Sequence, residues 1–159
     1  MPASSSTAIT TSTAATVGGV PSTTAASTIA ALAAQTEKFA PHTVHAAEHP
    51  ALAHYSAEGF AKVVADAAKS LGADALLASL SAQTKDFMPR AAVKLDAGMA
   101  SDCVQLSVSG GKLEATRPMY AGKCFAAVDF GSSRPAVATV RPNALGFKPE
   151  KSGKPNLAM

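Results

Sequence analysis

Tryptophan is absent from this 159-residue chain, and aromatic residues make up only 5% of it although 47% is hydrophobic. A core can form, but alanine has to fill much of it, which excludes thick aromatic layers and favours close helix–sheet packing. No 18-residue stretch lacks polar groups, so no membrane-spanning helix and a soluble chain are expected. Only two cysteines occur, Cys103 and Cys124, 21 residues apart and in no metal-like spacing. Their strand-like, apolar surroundings suggest free buried thiols in a reducing compartment. No charged residue precedes Glu37. A secretory signal needs a basic start and a mitochondrial presequence needs arginine, so neither is recognisable; a presequence has been removed or import signals lie outside the chain.

Absent motifs exclude further classes. There is no Gly-x-Ser-x-Gly elbow, no cysteine with a nearby histidine and no paired-acid motif, so the chain does not read as a stand-alone enzyme. Gly18-Gly19, between a possible strand and a possible helix, lacks the remaining glycines of a dinucleotide loop and is read as a turn. His42, His45, His49 and His54 cluster with Glu48, but none has the i, i+4 helical spacing of a zinc motif, and surface histidines are the reading. The net charge is +3, with +5 in residues 112–159 and −2 in the rest. No aromatics interleave with these basic residues, so nucleic acid is not an expected partner.

What is present reads as an α/β chain. Residues 1–8 look disordered. The β-branched run 9–17 suggests a strand, Ser22 caps a helix over 23–35, and 42–46 is a short strand. Ser56 as N-cap and Glu58 in the first turn start the clearest helix. Its apolar face is Phe60, Val63, Val64, Ala67, Ala68 and Leu71, and Gly72 stops it. Residues 74–79 read as a buried strand, so strand–helix–strand predicts a parallel sheet with a right-handed crossover. Asp86 is expected to cap a second helix with Pro89 in its first turn and Gly98 at its end. Strand candidates then follow at 103–108, 113–120, 124–130 and 136–140 without intervening helices. These predict antiparallel hairpins beside the parallel sheet. Residues 143–159 look like an extended tail, with Leu145, Phe147 and Leu157 as anchors for a neighbouring chain.

The sharpest constellation is Asp102, Arg117, Tyr120 and Arg141. Arg117 and Arg141 each precede a proline, which holds the arginine backbone extended. A guanidinium so fixed can bridge a carboxylate such as Asp102 with two parallel bonds, tying the hairpins to the second helix. Structural bracing is favoured over a ligand role, because buried arginine is normally paired. The candidate bracing or interface residues are Arg90, Asp102, Arg117, Tyr120 and Arg141. No catalytic, cofactor-binding or metal residue is assigned.

Three segments carry a resemblance. They are Pro89-Arg90-Ala91-Ala92-Val93-Lys94-Leu95-Asp96-Ala97-Gly98-Met99-Ala100-Ser101-Asp102, then Ala115-Thr116-Arg117-Pro118-Met119-Tyr120-Ala121-Gly122-Lys123, then Thr139-Val140-Arg141-Pro142. In order and spacing they resemble the N-terminal domain of the electron transfer flavoprotein α-subunit, most clearly from Val44 to Arg141. The resemblance implies a three-layer, Rossmann-like parallel α/β domain over residues 9–142 and a β-subunit as protein partner. It implies no cofactor in this chain; FAD enters only if a partner supplies the flavin domain, for which residues 143–159 leave no room. The family's opening strand–helix unit also lacks a counterpart. The function it implies is a scaffold or subunit-interface domain. The alternatives are an accessory structural subunit of a large mitochondrial complex without redox work and, more weakly, a nucleotide-binding module near Gly19. The expected location is the mitochondrial matrix side, or a bacterial-type cytoplasm.

Overall fold

The computed structural model describes residues 43–45, 47, 49–52, 54–146 and 156–158. The strand expected over 9–17, the helix over 23–35, and Gly18-Gly19 lie outside these. The first described strand is β1 (Thr43–His45), followed by α1 (Ala57–Ser70), β2 (Ala75–Ser79), α2 (Ala82–Lys94) and β3 (Met99–Cys103). Then come β4 (Gln105–Ser109), β5 (Lys112–Met119), β6 (Cys124–Asp129), β7 (Ala136–Val140) and β8 (Asn156–Ala158). The parallel sheet has the order β2-β7-β3, and the antiparallel sheet the order β4-β5-β6.

Helix α1 starts where its sequence says. The Ser56 side chain accepts from the Gly59 N–H, Glu58 lies in the first turn, and Gly72 takes the left-handed conformation after the Leu71 C-cap. Its buried face is Phe60, Ala61, Val64, Ala65 and Ala68. Relative to the expected stripe the face is rotated towards Ala61 and Ala65, which lets α2 lie alongside it; the Phe60 and Phe87 rings meet across that seam at 5.9 Å.

Helix α2 begins earlier than expected. Ser81, not Asp86, is its N-cap, because Ser81 and Thr84 form a reciprocal capping box. The Ser81 N–H donates to Thr84 Oγ1 at 2.7 Å, and that hydroxyl also donates to the Ser79 carbonyl at 2.8 Å. Pro89 therefore sits inside the helix. It is tolerated there because Pro89 and Lys85 are both exposed, so water can solvate the Lys85 carbonyl that the missing N–H leaves without a donor.

Strand β7 is the main departure from the sequence reading. It is no hairpin strand but the centre of the parallel sheet, in register with β2 from Ala75↔Ala136 to Ser79↔Val140 and beside β3 on its other edge. Residues 136–139 are all buried, the pattern of a strand covered on both faces. Val137 joins Leu76, Ala78 and the helix residues in one core cluster. Ala138 joins Ala100, Cys103 and Ala115 in a second, backed by Leu77, Leu106 and Val128. The layers are thus helices, parallel sheet and antiparallel sheet, an α/β fold with the hairpins β4-β5-β6 as expected.

Two further differences concern strand ends. Strand β1 pairs in parallel with β8, Val44↔Leu157, rather than with β2, so part of the expected tail is paired within the chain. Cys103 is buried as expected, whereas Cys124 is exposed, because β6 is an edge strand of the antiparallel sheet. No helix of the described residues is long and apolar enough to cross a membrane.

Removing the capping hydroxyl tests why α2 begins at Ser81. Ser81→Ala should lower unfolding free energy by about 1 kcal/mol, read as a lower urea midpoint at unchanged slope.

Candidate functional site

Three of the residues singled out by sequence, Asp102, Arg117 and Arg141, gather towards the carboxyl end of the parallel sheet, where β3 and β7 finish. The register between these strands shifts between Ala100 and Cys103. At that irregularity Asp102 turns into the left-handed region, with φ 60°, a conformation that aspartate tolerates better than most residues with a Cβ. Its N–H donates to Thr139 Oγ1 at 3.2 Å, which gives the fully buried Thr139 hydroxyl a partner. One strand further on, the Arg141 N–H donates to the Cys103 carbonyl at 2.8 Å.

The turn aims the Asp102 carboxylate at Arg141. Arg141 Nε donates to Asp102 Oδ1 at 2.9 Å and Nη2 to Oδ2 at 2.6 Å, the two-pronged geometry that fits a planar guanidinium. The bridge joins the ends of β3 and β7 and not, as expected, the hairpins to α2. The side chains remain 31% and 48% exposed. The Arg141 hydrogen bonds hold the Asp102 carboxyl below the usual carboxylate range; burial opposes them, and the charges of Arg141, Lys85 and Arg117 reinforce them. Asp102 in turn raises the Arg141 guanidinium.

Arg117 lies on β5 opposite Ala126 and is felt electrostatically by both Asp102 and Cys103. Its Nε is buried and has no hydrogen-bond partner among the described residues. The Cys103 thiol beneath donates to the Ala100 carbonyl at 3.6 Å, and burial pushes it up against a lowering by Arg117. Sequence reasoning did not find Thr139 or Lys85. Their only signals were a hydroxyl in an otherwise apolar strand and a lysine in the first turn of a helix whose start was misplaced.

Arg90 and Tyr120 do not join this group. Arg90 bonds Glu58 at 3.3 Å and Asp86 at 3.4 Å on the outer side of the helices. There Asp86 also accepts from the Tyr55 hydroxyl at 2.9 Å. Tyr120 is 75% exposed, in a 3-10 turn at Tyr120–Gly122. Among the described residues no group of three or more His, Cys, Asp or Glu could hold a metal ion. His49 Nδ1 accepts from the Ala51 N–H. A groove of about 300 Å³ opens at the amino ends of β2 and β7, between Lys69, Leu95 and the Asp74–Arg134 ion pair.

A parallel sheet with helices on one face and an antiparallel sheet on the other defines a Rossmann-like α/β domain. Comparison with known proteins takes the assignment further. The chain belongs to the electron transfer flavoprotein family, whose Electron transfer flavoprotein domain matches residues 5–157. It is similar to electron transfer flavoprotein subunit alpha of Bacillus subtilis, 37% identical over 62% of this chain and 30% of that one. It is also 37% identical to the subunit alpha of Clostridium acetobutylicum, over 64% of this chain and 31% of that one. Protein FixB of Rhizobium meliloti is 34% identical over 68% and 31%. The chain thus spans about a third of the length of the curated relatives it matches. The three segments that resemble the α-subunit supply Asp102, Arg117 and Arg141, and the fold gathers them at one end of the sheet.

The bridge makes stability depend on pH. A carboxylate whose folded pKa is lowered contributes stability above its unfolded value of about 3.9 and loses it as pH falls through the folded value. Asp102→Asn should therefore lower the melting temperature at pH 7, and the gap to the parent chain should close below about pH 4. A gap that persists at low pH would mean that the charge of the carboxylate does not set the effect.

Proposed function

We propose that this domain is a non-catalytic scaffold and subunit-interface domain of the electron transfer flavoprotein α type. A partner chain supplies the FAD-dependent electron transfer. The single observation that carries this reading is the set of exposed apolar side chains on the antiparallel sheet, with Phe125 on its outer face and Val108 and Met119 near strand ends on the face that carries Ala115. Val108, Met119, Tyr120 and Phe125 are 73%, 39%, 75% and 65% exposed, and all lie on this sheet or its turn. Large apolar side chains left exposed around one small sheet mark surfaces that a partner covers.

The edge of the sheet supports the same reading. Pro118, which has no N–H, is paired with Phe125, so that pair falls between ladder bonds. By alternation the backbone groups of Phe125 and Ala127 point away from β5. Strand β6 has no second neighbour among the described residues, and it contains neither lysine nor proline to blunt the edge. Such an edge can accept a strand from another chain.

Family α-subunits pair with a β-subunit, which is the natural candidate for this surface. The relatives found are bacterial, which supports the bacterial-type cytoplasm over the mitochondrial matrix side. No observation favours the accessory subunit of a mitochondrial complex, and the Gly19 module lies outside the described residues.

Co-expression with a family β-subunit tests the proposal. The two chains should co-elute in equal amounts, with this chain colourless when purified alone. Phe125→Asp should weaken the association by about tenfold or more. A flavin absorbance band that stays with the isolated chain in proportion to protein would overturn the cofactor assignment.

A further inference from the structure

The free edge of β6 has a charge at each end, with a large and a small apolar residue between them. The Val104 N–H donates to the Thr116 carbonyl on the β4 side at 2.8 Å. The pair Thr116↔Ala127 is therefore of the non-bonded kind, like Pro118↔Phe125. The backbone groups of Phe125, Ala127 and Asp129 thus point away from β5, to an edge with no neighbour among the described residues. No residue of β6 is buried, whereas Ala115 on β5 is buried beneath the parallel sheet. Strand β6 projects past that layer. At its far end Asp129 faces Glu114 across the strands, two like charges in direct opposition. Just before its start lies Lys123, which is exposed and forms no ion pair among the described residues.

We infer that β6 pairs antiparallel with β6 of a second copy of this chain, about a two-fold axis at Ala126. This goes beyond the β-subunit reading, because it names a second occupant that competes for the same edge. A symmetric antiparallel ladder sets outward-pointing residues opposite outward-pointing ones. Phe125 can then face Phe125 or Ala127 of the copy, or Ala127 can face Ala127. With Phe125 opposite Ala127, a large side chain meets a small one twice, and the two Phe125 rings become diagonal neighbours within aromatic reach. That register alone also sets Lys123 of each copy opposite Asp129 of the other. Each lysine there offsets the Glu114–Asp129 repulsion. Lys123 has helical backbone angles, so its long stem makes this contact and the ladder itself begins at Cys124. The other two registers place Asp129 opposite Ala121 or Phe125 and leave the acids uncompensated. One strand pair covers less than the about 1,000 Å² of a permanent interface, so the dimer forms and dissociates with concentration.

Analytical ultracentrifugation of the purified chain across a dilution series should show a monomer–dimer equilibrium. Ala127→Pro removes an outward N–H without touching the ladder to β5, and Lys123→Glu makes the end pair repulsive. Each should weaken dimerisation by about tenfold or more. The register has its own test, a disulfide between copies. Ala126→Cys in a Cys124→Ser background sets two thiols face to face at a non-bonded pair, with about 4.5 Å between Cα atoms, within disulfide range. Oxidation should give a covalent dimer from this variant and not from Ala127→Cys in the same background; the reverse result would overturn the inferred pairing. A chain that stays monomeric throughout, or a dimer indifferent to both Ala127→Pro and Lys123→Glu, would overturn the inference. When the β-subunit is added, the dimer should give way to a one-to-one pair. A monomeric chain that binds the β-subunit sinks this inference and leaves the interface reading intact. A dimer that ignores the β-subunit sinks that reading and leaves this one standing.

Discussion

Val137 and Ala138 sit back to back in the one described strand that is covered on both faces, and the other layers are registered against them. Val137 points into the helix-side cluster with Leu76, Met88 and Ala91. Ala138 points into the cluster under the antiparallel sheet. Both are fully buried. A methyl side chain at position 138 allows β5 to approach with Ala115 facing it, and larger groups there would force the two sheets apart. The close stacking brings the end of β7, and with it Arg141, to Asp102 and within electrostatic reach of Arg117.

Much of this was legible because local chemistry and tertiary packing agree. Ser56, Glu58 and Gly72 mark α1 unambiguously, and the alternation and turns of 105–129 give the antiparallel hairpins. Strand β7 was misread because its neighbours in sequence are strands, while its neighbours in space, β2 and β3, lie more than 30 residues away. The run Ala136-Val137-Ala138-Thr139 did carry a signal, since an unbroken apolar stretch fits burial on two faces better than a half-exposed hairpin. The start of α2 was misplaced because Pro89 was given its favoured position, whereas the Ser81–Thr84 box had the stronger hold on the backbone.

The site was legible in the same uneven way. An arginine fixed by a following proline and an aspartate available to it were enough to suggest the Asp102–Arg141 bridge. Which elements the bridge would join depended on the topology of β7 and was therefore missed. Arg90 and Tyr120 share sequence segments with the cluster but not its location, since a helix and a 3-10 turn carry them to other surfaces. Membership of the electron transfer flavoprotein family gives those segments a common setting, a domain in which Asp102, Arg117 and Arg141 lie towards one sheet end.

The alanine-rich interior has a thermal consequence. Eleven of the nineteen buried apolar residues among the described ones are alanine, so each ordered core position exposes little carbon surface when the chain opens. The heat-capacity change of unfolding follows the apolar area exposed. For a domain of this size it should be small, and the stability curve correspondingly broad and shallow. Such a domain varies little in stability across the growth range of its host.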